Sequence, residues 1–332
     1  MRSQPVLLSA MMNLMPWRRR TDRPPMSPTA QPAPDNALLR IAAAREPGLV
    51  LVHALDGFLS AGQAGHIASR HLLGSHGSHG EVVATFDVDA LYDYRARRPP
   101  LAFDEDHYAG YEAPRLDVRR LVDAAGTPYL LLAGPEPDYR WEAFIGAVGR
   151  LVDELDVRLV VGLGAVPMGV PHTRPVVVTA HATRPELVDR PNVWSGRLTV
   201  PASAQALLEL RLGERGHDAM GYVAHVPHYV SGVEYPAASV TLLEAAGAAA
   251  GLTFDLDALR EAARLTVDEI DRQVAKQDGA EVLDALEKQY DAFSRGAAQS
   301  MLARDEELPS ADELGQQFEQ FLAGLDRREG SG

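Results

Sequence analysis

Short, mostly apolar runs alternate with segments of helical spacing between residues 49 and 250, and this alternation constrains the fold more than any other feature. The runs are Leu49–Leu55, Glu81–Phe86, Tyr129–Ala133, Arg158–Val161, Val176–Thr179 and Gly221–His225. The segments of helical spacing are Ser60–Leu73, Arg140–Glu154, Ala202–Leu212 and Ala237–Ala250. Strands that alternate with helices form parallel sheets through right-handed crossovers. We therefore expect an α/β fold with a mostly parallel sheet flanked by helices, in which the first two runs form a parallel pair.

The remaining segments divide the chain into three predicted parts. Residues 1–36 are rich in Pro and Arg, and this composition favours a disordered extension. Residues 37–254 form the α/β core, in which Tyr92–Pro128 is expected to be irregular apart from a hairpin around Ala124–Thr127. Residues 255–328 predict a helical C-terminal appendage. Its apolar stripes are Ile270, Val274, Val282, Leu286, Tyr290 and Phe293, and then Leu314, Phe318, Phe321 and Leu325.

Charge and composition exclude several classes of function. The 332 residues contain no cysteine, which rules out disulfides, thiolate zinc sites and catalytic thiols. The formal charge is −14; residues 1–35 contribute +3 (five Arg, two Asp) and residues 255–332 contribute −10 (19 acidic, 9 basic). This acidity argues against binding to nucleic acid or to an anionic membrane. No run is apolar enough to span a bilayer, so we expect a soluble protein. The absence of cysteine fits a reducing compartment, and we expect the protein in the cytoplasm.

The loop between the fourth and fifth runs is the strongest candidate for a functional site. A buried strand is expected to end in a glycine- and proline-rich loop within residues 161–175. The loop offers two glycines and three polar side chains, namely Gly162, Gly164, His172, Thr173 and Arg174. A dinucleotide-binding Gly-x-Gly leads directly into a helix that holds the pyrophosphate. Three prolines prevent such a helix here, so the loop is not a standard nucleotide site.

Polar residues also lie near the ends of other predicted strands. They are Asp56, Gly57 and Ser60 after the first run, Glu136 after the third, and His225 and Tyr229 at the sixth. Because parallel strands end at one edge of a sheet, we expect Asp56, Glu136, His172 and His225 to share a crevice. No metal site is predicted, since the histidines lack adjacent carboxylate ligands.

Each candidate has a chemical and a structural interpretation. Arg174 can bind a carboxylate or phosphate, and His172 can transfer a proton near neutral pH. Alternatively, these two side chains hydrogen-bond a crowded turn, and Glu136 pairs with an arginine of its own loop or with Arg174. Asp56 or Ser60 can also simply cap the first helix.

Several of these segments occur in the order of a known family. They are Asp56-Gly57, Asp87–Arg95 with Arg98-Pro99, Gly134–Pro137 with Trp141, Val170–Pro175 and His225–Tyr229. Together they resemble the bacterial branch of the proteasome assembly chaperone family, second-subunit type, from about Leu49 to the helical tail. The resemblance implies a phosphorylase-like α/β fold, self-association as a trimer and a role in proteasome-related protein assembly. The resemblance brings no catalytic residue. Other proteasome binders dock through a C-terminal hydrophobic-Tyr-x tail, and this chain departs from that pattern because its last residues are Arg328-Glu-Gly-Ser-Gly332.

Two functions remain open. The first is a non-catalytic oligomeric assembly or scaffold factor that binds itself and a protein partner such as the proteasome, without a cofactor. The second is a small-molecule binding protein, hydrolase or phosphorylase that takes a nucleoside-like or anionic ligand in the strand-end crevice. An open polar crevice containing Asp56, Glu136 and Arg174 would favour the second, and the same residues fully paired would favour the first.

Overall fold

The structure is a computed structural model that describes residues 38–74, 80–188, 197–276 and 280–302. The predicted disordered extension at residues 1–36 and the second apolar stripe lie outside the described residues.

Ten strands are present in the described part of the chain. They are β1 (Leu39–Ile41), β2 (Val50–Asp56), β3 (Glu81–Phe86), β4 (Leu101–Asp104), β5 (His107–Tyr111), β6 (Asp117–Val122), β7 (Pro128–Pro135), β8 (Leu159–Met168), β9 (Val178–Ala182) and β10 (Ala219–Pro227). Eight of them form one sheet in the order β1-β3-β6-β7-β2-β8-β10-β9, and β4 and β5 form a separate hairpin. The four central strands β7, β2, β8 and β10 are parallel, which confirms the α/β class.

The predicted parallel pair of the first two runs is wrong. Strands β6 and β7 lie between β3 and β2 in the sheet, and β6 pairs antiparallel with both β3 and β7. The cause is the segment Tyr92–Pro128, which was expected to be irregular but supplies β4, β5 and β6. The hairpin expected around Ala124–Thr127 is confirmed as the β6–β7 turn, where the Asp123 carboxylate accepts the backbone N–H groups of Ala125 and Thr127.

Helices cover both faces of the sheet. They are α1 (Ala64–Gly74), α2 (Trp141–Leu155), α3 (Ala204–Glu214), α4 (Pro236–Ala250), α5 (Asp257–Lys276) and α6 (Ala280–Leu302). One core contains buried side chains of α1, α4 and α5, such as Ile67 and Leu242, and the other contains those of α2 and α3, such as Phe144 and Leu208. Fully burying each side chain of this size contributes about 1.5–3 kcal/mol, so two apolar layers hold the sheet in place.

The two C-terminal helices are attached differently from the others. In α5 only Leu259 and Ile270 are buried, and α6 buries none of its side chains between residues 280 and 295. Polar contacts described below therefore carry most of the attachment of α6. No helix among the described residues is long and apolar enough to cross a membrane.

Strand β8 is longer than its sequence indicated. The expected loop begins only after Met168, because β8 pairs with β10 through Pro227↔Met168. Gly162 and Gly164 therefore lie inside a buried strand and not in the loop, which corrects their assignment. As predicted from the prolines, the chain after β8 passes through turns, and no helix begins before the next strand, β9.

Candidate functional site

The candidate residues lie along one edge of the sheet because four parallel strands end there. Asp56 is the last residue of β2, and Glu136 directly follows β7. His172 follows β8 by four residues, and Tyr229 lies in a short 3-10 turn after β10. His225 is still inside β10. The strand-end placement follows from the topology, and the contacts below show what each side chain does there.

Glu136 ties three segments together from a buried position. Its Oε2 accepts the N–H of Phe58 at 3.1 Å, and its Oε1 accepts the N–H of Ala204 at 2.6 Å. Ala204 is the first residue of α3, where free N–H groups and the helix dipole favour a negative charge. Gly57 completes the arrangement, because a Cβ there would overlap the Glu136 carboxylate. Glu136 therefore links β7 to the loop after β2 and to α3 through buried hydrogen bonds.

Asp56 and Ser60 are also bonded within this loop. The Asp56 carboxylate contacts Nδ1 of His66 at 2.9 Å, and this hydrogen bond raises the pKa of His66. Ser60 Oγ accepts the N–H of Gly57 at 2.7 Å. Neither side chain caps α1, so the capping interpretation is wrong for both.

His172 connects the loop after β8 to α5. Its ring is buried; Nδ1 lies 2.7 Å from the hydroxyl of Tyr229, and Nε2 lies 2.9 Å from Asp271 of α5. The backbone N–H of His172 also donates to the Tyr229 hydroxyl at 2.8 Å. Burial raises the pKa of Tyr229, so this hydroxyl stays neutral and serves as a hydrogen-bonding group. Both ring nitrogens of His172 are engaged by the protein itself.

Thr173 and Arg174 bind α6. Arg174 makes a two-pronged contact with Asp291, with Nε 2.8 Å from Oδ1 and Nη2 2.9 Å from Oδ2. Thr173 Oγ1 donates to Glu287 at 2.5 Å, and the hydroxyl of Tyr290 donates to the carbonyl of Pro175. The guanidinium lowers the pKa of Asp291, as expected for a charge-assisted bidentate pair. The cation that could hold an anionic ligand is occupied by the protein's own carboxylates.

Another polar group lies beneath α3. His53, Gly162, Gly221 and His181 are aligned across β2, β8, β10 and β9. A Cβ on Gly162 would lie 2.9 Å from Cε1 of His53, so the imidazole uses the space that the glycine leaves. Burial, and secondarily the charge of His181, lower the pKa of His53 to about 4. Gln205 lies over the same glycine, as well as over Gly164.

The candidate residues thus form separate bonded groups and not one open crevice. Within the described residues, no hydrogen bond or ion pair joins the Glu136 group to the Arg174 group. His225 belongs to neither, since its Nε2 lies 2.9 Å from Thr179 Oγ1. The described part of the chain contains no cluster of three or more His, Asp or Glu side chains suited to a metal ion. A cavity of only about 10 Å³ lies elsewhere, between the end of α1 and the β6–β7 turn.

Sequence reasoning missed the partners of the loop after β8. Asp271, Glu287 and Asp291 were counted only as part of an acidic C-terminal region. The i,i+4 spacing of Glu287 and Asp291, which places both carboxylates on one helix face, was the available signal.

The fold and this edge define a class of protein: an α/β protein whose sheet is covered on both faces and whose strand-end polar residues are bonded to its own backbone and helices. The chain belongs to the PAC2 family, whose model matches residues 54–274. This match confirms the family resemblance seen in the sequence. No curated protein matches the chain significantly.

Solved structures resemble the chain over most of its length. A Mycobacterium tuberculosis protein of unknown function is 41% identical, covers 83% of this chain and 96% of its own, and has a TM-score of 0.73. A Corynebacterium glutamicum protein of unknown function is 36% identical, with coverage of 78% and 98% and a TM-score of 0.71. A Mycobacterium tuberculosis homologue of a proteasome-assembly chaperone is 28% identical, with coverage of 68% and 96% and a TM-score of 0.64.

Proposed function

We propose that this protein is a non-catalytic assembly factor that binds a protein partner at the carboxyl edge of its sheet. The observation that carries the proposal is the pairing of Asp56, Glu136 and Arg174 within the molecule. Side chains committed to internal contacts position loops, whereas a catalytic group must reach a substrate. The likeness to a proteasome-assembly chaperone homologue supports the same role.

The loops that Glu136 positions offer an apolar surface to such a partner. Four large apolar side chains on these loops are more than half exposed, namely Phe58, Tyr139, Leu198 and Val200. Phe58 and Ala204 bond Glu136 directly, and Tyr139 follows it in the same loop. Exposed apolar surface held on rigid loops is typical of protein-binding sites. We call these four side chains the edge surface, and we assign partner binding to it.

The proposed partner is a proteasome subunit, and the proposed assembly is a homo-oligomer, a trimer, in the cytoplasm. The test is co-purification of tagged protein with the proteasome α and β subunits of its own host, together with the molar mass of the purified protein by light scattering. A Phe58→Ser/Leu198→Ser variant should lose the subunits, and Leu265→Ser, which alters an equally exposed leucine on α5, should retain them. Equal recovery by both variants, or no recovery of any subunit by the native chain, would contradict the proposal.

The alternative function, a small-molecule binding protein, hydrolase or phosphorylase, requires Arg174 to leave Asp291. Buried atoms without partners, Nδ1 of His53 and Oε1 of Gln205, are the observation in its favour. A screen of nucleosides and anionic metabolites by thermal shift tests it. Stabilisation that disappears in Arg174→Ala or His53→Gln would favour this second function.

A further inference from the structure

The β4–β5 hairpin exposes an apolar face in the part of the chain that the structure describes. Opposed pairs in its register place Leu101, Phe103, Tyr108 and Tyr111 on one face. Their exposed fractions are 51%, 61%, 73% and 54%, and the rings of Phe103 and Tyr108 lie edge to face with their centroids 5.2 Å apart. At roughly 200 Å² per large side chain, about 500 Å² of apolar surface is left in contact with water. A contiguous apolar patch of this size often marks an interaction site.

The hairpin also lacks a third strand. Its two strands pair only with each other, whereas the other eight strands form the main sheet. An isolated two-stranded hairpin is marginally stable in water, and a third strand or a packed helix is needed to stabilise it. Each strand also has an outer edge of backbone N–H and C=O groups. Within the described residues, no backbone hydrogen bond other than those between β4 and β5 reaches residues 102–110, so these edges can accept an extended segment by strand addition.

The tip of the hairpin is acidic and exposed, with Asp104, Glu105 and Asp106 in sequence. Within the described residues, no arginine or lysine pairs with these carboxylates, and Asp106 contacts only the ring of His107, at 3.1 Å. The register places Asp104 and His107 on the face opposite the aromatic rings. We call the four apolar side chains and the three acidic residues the hairpin surface.

These two faces define the sequence pattern of a segment that would complete the sheet. Side chains of an added strand point alternately to the two faces. On one face they lie beside the aromatic rings, where apolar side chains pair well, and on the other they lie beside the carboxylates, where basic side chains pair well. The complementary segment is therefore extended, with apolar residues alternating with lysine or arginine.

A second folded copy of the chain fits the hairpin surface less well than such a segment. A stable complex of two folded proteins buries about 800 Å² per partner, which is more than the hairpin face offers. A second copy also has a formal charge of −14, so the acidic tip would meet another acidic body. The same carboxylates disfavour an anionic membrane surface.

Hydrogen bonds hold the base of the hairpin in place. The hydroxyl of Tyr94 donates to Asp89 at 2.5 Å and is also hydrogen-bonded to Tyr111 of the hairpin surface. Asp89 lies in a 3-10 turn shortly after β3, so these bonds tie the hairpin to the region beside the main sheet. A binding element whose base is already fixed loses less conformational freedom when a partner binds.

We propose that the hairpin surface binds an extended basic segment of a protein partner, which adds a third strand to β4 and β5. The apolar side chains of the segment lie beside the aromatic face, and its lysine or arginine side chains lie beside the acidic tip. This inference concerns residues outside the edge surface, so it goes beyond the proposed assembly function and does not depend on it.

Synthetic peptides test the proposal on the full chain. The probe is a fluorescein-labelled octapeptide in which lysine or arginine alternates with valine or isoleucine, and binding is followed by fluorescence anisotropy at physiological ionic strength. The control peptide has the same composition but carries its basic and apolar residues in two blocks. It should bind about tenfold more weakly, because its charges then fall on both faces of the added strand. No binding of the alternating peptide, or equal binding of the two peptides, would overturn the proposal.

Variants of the protein locate the binding site. Asp104→Asn/Glu105→Gln/Asp106→Asn should weaken binding of the alternating peptide about tenfold, the size of effect that three exposed ion pairs provide together. The matched control removes three exposed carboxylates of α5, by Asp257→Asn/Glu261→Gln/Asp268→Asn, and should leave the affinity unchanged. Equal affinity of these two variants for the peptide would show that the peptide responds only to the overall charge of the protein, and would overturn the assignment to the hairpin.

The aromatic face is tested in the same way. Phe103→Ser/Tyr108→Ser should lose the alternating peptide, and Leu265→Ser, an equally exposed position on α5, should retain it. Circular dichroism checks that both variants remain folded. If light scattering shows instead that the protein without peptide self-associates through Phe103 and Tyr108, the occupant is a second copy and the proposal is wrong.

Backbone methylation tests strand addition itself. The N–H groups of alternate residues point to opposite edges of a strand, so two peptides N-methylated at alternate sets of residues each lose the donors of one edge. The peptide that loses the donors facing the hairpin should bind about tenfold more weakly, since several hydrogen bonds are lost, and the other should bind like the parent peptide. Equal affinity of the two methylated peptides would overturn strand addition.

Discussion

Replacing Glu136 by Gln tests whether the carboxylate of this residue holds the loop after β2 and the start of α3 in place. The substitution keeps the shape but turns one carboxylate oxygen into an NH₂ group, which then faces the N–H of Phe58 or Ala204. One hydrogen bond to a charged acceptor is lost, at about 1.5–3 kcal/mol, and a buried donor remains unsatisfied. We expect the free energy of unfolding to fall by about 2–4 kcal/mol, which for a domain of this size lowers the Tm by roughly 5–10 °C.

The assay is urea unfolding followed by circular dichroism, with hydrogen exchange of the loops that carry Phe58 and Leu198. The matched control is Glu154→Gln, which removes a half-exposed carboxylate paired with Arg150 and should change stability by less than about 0.5 kcal/mol. Exchange in both loops should rise only in Glu136→Gln. If the two variants have equal stability and equal exchange, Glu136 does not hold these segments together, and the edge surface loses its support.

Three further predictions follow from the other polar groups. Gly162→Ala should destabilise the fold by about 1–3 kcal/mol in urea unfolding, because its Cβ presses on His53, whereas Gly169→Ala, with open space, should not. The pKa of His53 is about 4 in the folded state and 6.5 in the unfolded reference, so the unfolded state binds a proton first as the pH falls. The free energy of unfolding should therefore decrease by about 3 kcal/mol from pH 6.5 to pH 4, and His53→Gln should lack this decrease. Arg174→Ala should increase hydrogen exchange in α6 but not in β8, since α6 is attached mainly by polar contacts; unchanged exchange in α6 would contradict this.

The central strands could be predicted from sequence because they are buried on both faces. Segments such as Leu49–Leu55, which is apolar except for His53, and Leu159–Val161 are runs of apolar residues, which is typical of strands between two helical layers. The order of strands was not predictable in the same way. Strand β6, Asp117–Val122, contains two arginines and one aspartate, so its apolar signal is weak, yet it separates β3 from β7. Arg120 is accommodated there by a bidentate pair with Glu46, a partner 74 residues away.

The residue types of the candidate site were identified from sequence, but their roles depend on distant partners. The loop residues His172, Thr173 and Arg174 meet carboxylates 99 to 117 residues later in the chain, on α5 and α6. A sequence pattern shows that an arginine follows a strand, but not whether its charge faces solvent or a carboxylate of the same molecule. That choice is made by the position of α6, which buries no side chain between residues 280 and 295 and is therefore itself positioned by these contacts. The loop after β8 and helix α6 position each other, so the sequence of neither segment alone predicts the arrangement of the site.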